Sequence, residues 1–234
     1  MIKLIYFVVG LFMGSFLHVI AYRGPKGTYF SKARSGCIHC GHELRWFELI
    51  PLISYGIQFG RCSHCSQKIS KIYPASENIC GLLFLFSYQT FGHTLNLFFA
   101  LLFVSILFVL SVCDVYYYLL PNVGILLLSV VVIGWSFFEN RISFQESFLT
   151  FLFSIFLIGL LIYLTNGGMG IGDFKLLDVL AFLLGFYEYL QLLFLSSLLA
   201  IVYFGLLKLF QHKSPDYIYF GPFIAIATCV LLFI

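Results

Sequence analysis

Two aspartates lie at the ends of long apolar stretches, where a charged side chain is unfavourable. Asp114 follows the apolar run 95–113, and Asp173 precedes a shorter run at 176–187. Ionisable residues at a membrane span are commonly functional, because burying their charge in lipid is costly. Two carboxylates that share one proton can activate water and polarise a carbonyl, which is the chemistry of aspartic proteases. Each acid could equally cap a helix or pair with Lys175, and the residues alone leave both interpretations open.

Four cysteines form a second group, with the spacing of a metal site. They occur as two C-x-x-C pairs, Cys37 with Cys40 and Cys62 with Cys65. Four thiolates close the coordination sphere of zinc, so we expect a structural zinc ion with no catalytic water. Disulfides are the alternative, but the pairs are expected on the reducing side of the membrane. A thioredoxin-like redox pair is disfavoured, because two matched pairs without a βαβ pattern indicate one shared metal.

The composition indicates an integral membrane protein. Of the 234 residues, 61% are hydrophobic and 10% are charged, whereas about 25% are charged in a typical soluble domain. A net charge of +3 is too small to indicate a nucleic-acid partner. Apolar runs predict an all-α polytopic membrane protein with about eight transmembrane helices. They lie near 2–22, 75–92, 95–113, 119–138, 147–165, 176–187, 190–210 and 218–234.

The polar segment between the first two runs is predicted to be a small zinc-binding cytosolic domain. We therefore expect a first transmembrane helix at 1–22, this domain at 23–74 and a multi-helix transmembrane domain at 75–234. If successive runs cross the membrane in alternating directions, all Lys and Arg residues except Lys3 and Arg141 lie on the same side of it. The positive-inside rule makes the basic side cytosolic, with both termini outside, and it favours a crossing by the short run. Both aspartates then lie at the cytosolic face.

Helix geometry separates the four aspartates of the chain. Asp178 lies five residues after Asp173 and points about 140° away from it on a helix, so the two cannot easily share a water. Asp216, beside Pro215, is expected in a cytosolic turn. Asp173 is expected at a helix N-terminus, where the helix dipole favours a negative charge, and Asp114 at a helix C-terminus, where it favours a proton. The glycines before Asp173 lack the register of a phosphate-binding loop, and instead allow a substrate backbone to approach closely.

A series of short motifs runs along almost the whole chain. They are GSFLHVIAYR (14–23), the two cysteine pairs, LIPLISY (49–55), GRCSHC (60–65), YPASE (73–77), LLPN (119–122) after Asp114, GGMGIGDFKLL (167–177) and YFGPFIA (219–225). In this order they resemble the type IV prepilin peptidases, which belong to the GxGD group of membrane aspartic proteases. The resemblance implies that Asp114 and Asp173 are the catalytic pair, that Gly170 and Gly172 complete the motif, and that the four cysteines bind zinc. We expect Lys175 to tune or position Asp173.

Enzymes of that family remove a short basic leader from prepilins or pseudopilins at the cytosolic face of the bacterial inner membrane. Many then methylate the new N-terminus with S-adenosylmethionine as the methyl donor. The resemblance therefore implies prepilin or pseudopilin substrates and a lipid bilayer as partners, with S-adenosylmethionine as a cofactor where methyl transfer is present. Glu77 and Arg23 are candidates for methyl transfer, and His18 stands where the family usually has asparagine.

Two other classes of function fit part of the pattern. Membrane acids with mobile glycines also describe a proton-coupled carrier, but here the acids gather at one face and no paired broken helices recur in two halves. A non-enzymatic assembly scaffold could use the cysteine-rich domain to hold its partners. Cleavage of a prepilin peptide, lost on substitution of either aspartate, separates the peptidase from both alternatives.

Overall fold

From α3 onward the helices follow one another with short connections in this computed structural model, which describes residues 1–27, 36–37, 39–139, 142–165, 168–211 and 219–233. They are α1 Ile2–Arg23, α2 Ile53–Ile57, α3 Ile72–Phe91, α4 Leu95–Tyr117, α5 Asn122–Glu139, α6 Phe144–Leu164, α7 Ile171–Gln211 and α8 Gly221–Phe233. Two 3₁₀ helices, Gly24–Lys26 and Trp46–Leu49, lie between α1 and α2. Apart from two isolated β-bridges, no strand pairing occurs among the described residues. The predicted all-α architecture is confirmed.

The long helices account for the predicted apolar runs. Within the described ranges, α1, α4, α6 and α7 are long and apolar enough to cross a bilayer, and α5 and α8 are shorter apolar helices. α7 is interrupted at Gly185, so it provides two of the predicted helices. Together with α3, these segments match the eight apolar runs in number and position. The chain is therefore a polytopic helical membrane protein.

In the first of two compact units, Met1–Gly92, α1 packs closely along α3. The contact runs through Gly10 and Gly14, which are spaced as a GxxxG pair. A Cβ atom on Gly10 would lie 2.8 Å from the carbonyl oxygen of Cys80, and one on Gly14 would lie 2.8 Å from Cys80 Cβ. The helices therefore approach this closely because neither glycine has a side chain. In packing, α3 belongs with this unit, whereas the sequence grouped it with the later helices.

The second compact unit, His93–Ile234, contains a helix that breaks in its middle. α7 consists of a first segment, 171–184, and a second segment, 186–211, separated by Gly185 with φ 75° and ψ 176°. Side chains other than hydrogen rarely tolerate this left-handed φ value. A Cβ atom on Gly185 would also lie 2.9 Å from Ile142 Cδ1, just before α6. Both constraints explain a glycine at the break.

The two segments of α7 run in opposite directions. Lys175 in the first segment bonds to Asn122, and Tyr203 in the second segment bonds to Tyr219. Both partners lie at the same end of the unit, because the ring of Tyr219 is 6.2 Å from that of Tyr118, which is four residues before Asn122 in the short connection from α4 to α5. A single straight helix would separate residues 175 and 203 by about 42 Å. The chain therefore reverses its direction at Gly185. This reversal agrees with the prediction that the short run 176–187 forms a helix of its own.

Candidate active site

Asp114 lies in the last turn of α4, four residues before the left-handed Tyr118 that follows the helix. Its side chain is buried, and Oδ2 accepts a 2.8 Å hydrogen bond from the backbone N–H of Gly221. Gly221 is the first residue of α8. The first N–H groups of a helix have no partner within the helix, and they carry its positive end. The start of α8 therefore binds the carboxylate of Asp114.

Asp173 lies in the first turn of α7. Its side chain is half-buried, and Oδ1 is shielded from solvent without accepting a hydrogen bond from the described part of the chain. Gly170 lies beside the other oxygen, because a Cβ atom on this glycine would be 3.3 Å from Asp173 Oδ2. The carbonyl of Gly170 also accepts the N–H of Phe174, at 3.2 Å. Asp173 therefore has one carboxylate oxygen that lacks a hydrogen-bond partner among the described residues.

The connection between α4 and α5 brings the two aspartate-bearing helices together. A Cβ atom on Gly172 would lie 3.0 Å from Leu120 Cβ, so the start of α7 rests directly on this connection. Lys175 Nζ donates a 2.9 Å hydrogen bond to Asn122 Oδ1 at the start of α5. The two carboxylates lie within electrostatic range of each other. Lys175 Nζ thus bonds to the neutral amide of Asn122 and positions the start of α7, the helix that carries Asp173.

Hydrogen bonding distinguishes the two carboxylates. Asp114 accepts the N–H of Gly221, which stabilises a negative charge, whereas Asp173 Oδ1 accepts none from the described residues. The ends of α4 and α7 alone predicted the charge on Asp173 and the proton on Asp114. That prediction omitted α8, whose positive end faces Asp114. The geometry favours the opposite distribution, with the proton on Asp173.

Asp178 belongs to a different buried network. Ser154 Oγ on α6 donates a 2.6 Å hydrogen bond to Asp178 Oδ1. Ser154 Oγ is also 2.6 Å from the hydroxyl of Tyr189. All three side chains are buried. Because Asp178 and Tyr189 flank the break in α7, this network fastens both segments to α6. Asp178 faces this network, as the helix angle predicted, and Asp216 lies outside the described residues.

Sequence reasoning missed two residues beside Asp114. Gly221 and Tyr219 both belong to the motif YFGPFIA, to which the sequence analysis assigned no role. Tyr219 interacts electrostatically with Asp114, and its hydroxyl bonds to that of Tyr203. The available signal was Pro222, because proline in the first turn marks the start of a helix and leaves the preceding N–H free to bind an anion.

The four cysteines converge on one point, as their spacing predicts. The sulfur atoms of Cys37, Cys40, Cys62 and Cys65 all lie within 4.8 Å of one another. Two of the distances between sulfurs are 3.7 Å, from Cys37 to Cys65, and 4.0 Å, from Cys40 to Cys62. Four sulfurs bound tetrahedrally to zinc at about 2.3 Å would be about 3.8 Å apart. The cluster therefore fits a tetrahedral metal ion of this size.

Each cysteine pair forms the same tight turn. In both turns the N–H of the first cysteine donates to the carbonyl five residues later. Gly41 and Ser66 occupy equivalent positions, with φ values of 70° and 59°. The backbone N–H groups of Cys40 and His39 lower the pKa of the Cys37 thiol to about 6. Because the thiolate is the form that binds metal, the first turn prepares the Cys37 sulfur for coordination.

A buried glutamate links the two turns. Glu48 accepts a hydrogen bond from the hydroxyl of Ser63, which is in the second turn. It also accepts a 2.8 Å hydrogen bond from the backbone N–H of Arg45, just after the first turn. These two hydrogen bonds lower the pKa of Glu48 below its usual value. The 3₁₀ helix Trp46–Leu49, which carries Glu48, is thereby tied to both halves of the cysteine cluster.

A cavity of about 420 Å³ lies where the cysteine-rich segment meets α1 and α3 in the first unit. Its wall includes His18 and Tyr22 from α1, and Tyr73 and Glu77 from α3. The rings of His18 and Tyr73 are 4.8 Å apart. Glu77 Oε2 accepts a 2.9 Å hydrogen bond from the backbone N–H of Leu52. This volume is in the range of small-molecule sites in proteins, about 300–1,000 Å³.

Two family profiles match the chain, each within one of the compact units. The bacterial peptidase A24 N-terminal domain matches residues 8–91, and the type IV leader peptidase family matches residues 101–205. The first match contains the cysteine cluster and the cavity. The second match contains both Asp114 and Asp173.

Curated relatives extend the similarity over nearly the whole chain. A prepilin leader peptidase/N-methyltransferase of Bacillus subtilis is 32% identical, over 85% of this chain and 80% of the relative. Proteins of the same name are 32% identical in Stutzerimonas stutzeri, over 96% of this chain and 88% of the relative, and 30% identical in Vibrio cholerae, over 98% and 96%. No solved structure matches significantly.

Proposed function

Because the chain belongs to the type IV leader peptidase family, we propose that it removes the leader peptide from type IV prepilins or pseudopilins by means of an aspartate pair. The observation that supports this proposal is the contact between the helices that carry Asp114 and Asp173 at one end of the second unit. The connection from α4 to α5 joins their helices there, through Leu120 and Asn122. Such a pair of carboxylates can hydrolyse a peptide bond without a metal ion.

In the proposed mechanism, ionised Asp114 removes a proton from a water molecule held between the two carboxylates. The oxygen of this water attacks the scissile carbonyl carbon, while protonated Asp173 gives its proton to the carbonyl oxygen. The proton on Asp114 then passes to the leaving amine as the carbon–nitrogen bond breaks. Asp173 takes a proton back from the new carboxyl group, so both aspartates end in their starting states. The hydrogen bond from Gly221 supports the charge on Asp114 at the start and at the end.

The glycines beside Asp173 are proposed to admit the substrate backbone. A side chain on Gly170 would approach Asp173 Oδ2 to 3.3 Å and would occupy space beside the reactive carboxylate. A peptide bond must be extended and exposed before water can attack it, and a helical substrate must be opened first. A surface without side chains lets such a backbone approach closely.

We assign the active site to the cytosolic face of the bacterial inner membrane. The supporting argument is the predicted topology, in which most Lys and Arg residues share one side with both aspartates. A prepilin has a basic leader in the cytosol and an apolar helix in the bilayer. Cleavage between them requires carboxylates at that boundary, which is where Asp114 and Asp173 are predicted.

We assign a structural zinc ion to Cys37, Cys40, Cys62 and Cys65. When bound, zinc would join the two turns, and four thiolates would leave no open position for a catalytic water. The distances between the sulfurs and the lowered pKa of the Cys37 thiol support this assignment. The metal is therefore proposed to stabilise the first unit and to take no part in peptide hydrolysis.

The cavity in the first unit favours a second activity, N-methylation of the new N-terminus. S-adenosylmethionine, when bound, carries a methyl group on a positively charged sulfur. The rings of Tyr22 and Tyr73 offer aromatic faces to a cation, and the carboxylate of Glu77 offers a negative charge. Glu77 is also a candidate to accept the proton that the amine must lose before it can be methylated. Arg23, which lies at the rim of the same cavity, is a candidate for holding a carboxylate.

Incubation of the purified protein with a prepilin peptide tests both activities. Peptidase activity should give a product with a new N-terminus after the leader. Methyltransferase activity should make this product heavier by one methyl group, and only when S-adenosylmethionine is added. Glu77→Gln should reduce methylation and leave cleavage intact. Failure of the parent protein to cleave would favour the two rival classes, a proton-coupled carrier or a non-enzymatic assembly scaffold.

A further inference from the structure

The cysteine-rich segment exposes an unusual amount of apolar side chain. Trp46, Ile57 and Phe59 are 78%, 72% and 90% exposed, and Phe47, Leu49 and Ile53 are also exposed. We call these six residues the apolar surface. A small domain surrounded by water rarely leaves so many large apolar groups together, and such patches mark binding sites for proteins or membranes.

Part of the apolar surface converges on one groove. Phe47, Ile57 and Phe59 line a shared depression together with the guanidinium-bearing Arg61. The ring of Trp46 packs edge-on against that of Phe47, with centroids 5.8 Å apart. The most exposed residues are therefore neighbours in space, and a cation lies next to them.

The backbone holds Phe59 in a strained conformation at the edge of this surface. Its φ is 50°, in the left-handed region that bulky side chains avoid, and Gly60 follows with φ 67°. Hydrogen bonds from the N–H of Phe59 to Gly56 and from that of Gly60 to Tyr55 maintain the turn. Strained backbone conformations of this kind are concentrated at functional sites and binding surfaces.

The apolar surface lies beside the point where α3 enters its apolar part. The N–H of Leu52, between Leu49 and Ile53, donates to Glu77 Oε2 over 2.9 Å. Glu77 lies about 8 Å along α3 from the first residue of the helix, and the continuous apolar sequence of α3 begins at Ile79. Leu49 and Ile53 therefore lie in the segment that is bonded near the start of the apolar sequence of α3, where the membrane boundary is expected.

We propose that the apolar surface inserts into the lipid leaflet on the side where α1 ends and α3 begins. Aromatic and aliphatic side chains beside a cation are the groups that bind the boundary between headgroups and acyl chains. Trp46, Phe47 and Phe59 provide the apolar groups, and Arg45 and Arg61 can reach lipid phosphates. Leu52, within the segment that carries this surface, is bonded to Glu77 near the start of α3, so the bilayer that α3 would enter is the occupant that needs no further partner.

Quenching of Trp46 fluorescence tests the proposal on the whole protein in vesicles. The chain has two tryptophans, so the difference between the parent and Trp46→Phe isolates the signal of Trp46. Lipids brominated near the headgroup end of the acyl chain should remove about half of this signal, because interfacial groups lie about 5–10 Å deep. The double variant Ile57→Ser with Phe59→Ser should lose the lipid quenching and become accessible to iodide. Phe12→Ser, which removes an exposed ring from α1, should leave it unchanged.

Three results would overturn the proposal. Trp46 that is quenched by iodide in vesicles, and not by brominated lipid, would lie in water. Protection from iodide that requires a prepilin peptide would assign the surface to the substrate. Protection that increases with protein density in the vesicles would assign it to a second copy of the chain.

Discussion

The backbone N–H of Gly221 donates a 2.8 Å hydrogen bond to Asp114 Oδ2, and this bond joins residues 107 positions apart in the sequence. It fixes the end of α4 against the start of α8. It also sets Asp114 apart from Asp173, whose Oδ1 accepts no hydrogen bond within the described ranges. The proposed roles of the two aspartates, base and acid, follow from this difference.

Gly221→Ala tests the contact between α8 and Asp114. The added Cβ atom would lie 2.9 Å from Asp114 Oδ2, so the carboxylate must move or α8 must shift. A displacement of about 1 Å at a reacting group can reduce the rate about 100-fold, and we expect a fall of this size in kcat. Gly205→Ala is the control, because outside the backbone of its own helix no described residue has an atom within 4 Å of its added Cβ. Parent-like kcat in Gly221→Ala would contradict the assigned position of Asp114.

The bond between Lys175 and Asn122 predicts a coupled effect of two substitutions. Lys175→Met and Asn122→Ala should each lower kcat/KM about tenfold, because each releases the start of α7 from the start of α5. The double variant should be no worse than either single variant. Lys208→Met removes a lysine near the end of α7 and should have little effect. Independent, multiplicative losses would instead mean that Lys175 acts without Asn122.

Ser154→Ala tests the network that fastens α7 to α6. The substitution removes the donor to Asp178 and leaves two buried polar groups without their partner. We expect the free energy of unfolding to fall by about 1–3 kcal/mol, measured by thermal or denaturant unfolding in detergent. Ser129→Ala is a matched control, because this serine is exposed and bonds only within α5. An equal fall in the free energy of unfolding for the two variants would contradict a stabilising role of the Ser154 network.

Metal analysis of cysteine variants tests the zinc assignment. The purified parent should contain about one zinc ion per chain, and Cys62→Ala should contain little or none. Loss of the metal should lower the unfolding temperature, because binding of the metal stabilises the folded first unit. Cys80→Ala should keep the metal, since Cys80 is buried between α1 and α3. A parent protein that binds no zinc, or a Cys80→Ala variant that loses it, would contradict the assignment.

The features that the sequence predicted well are local along the chain. Long apolar runs determine where helices form, so the helices from α3 to α8 were predicted close to their observed bounds. The two C-x-x-C pairs share a spacing that allows few arrangements besides a common metal site. Gly41 directly follows Cys40 in the sequence, and its φ of 70° is the kind of turn that a glycine permits.

The features that the sequence did not predict depend on contacts between distant segments. The sequence-based proton distribution considered only the helices that carry Asp114 and Asp173, whereas the proposed distribution also takes account of the hydrogen bond from a third helix, α8. The packing of α3 on α1 depends on Gly10 and Gly14, whose GxxxG spacing indicates a close helix contact but does not identify the helix that makes it. Hydrophobic periodicity reports which face is buried, and it does not identify the element that covers it.

Cleavage of a prepilin peptide by three single variants tests the central claim most directly. Asp114→Asn and Asp173→Asn should each reduce cleavage at least about 1,000-fold, because neither variant retains the pair of carboxylates. Asp178→Asn, a buried aspartate outside the site, should cleave like the parent, since its amide oxygen can still accept from Ser154. Substantial cleavage by Asp114→Asn or Asp173→Asn, in protein as well folded as the parent, would contradict the aspartate-pair mechanism.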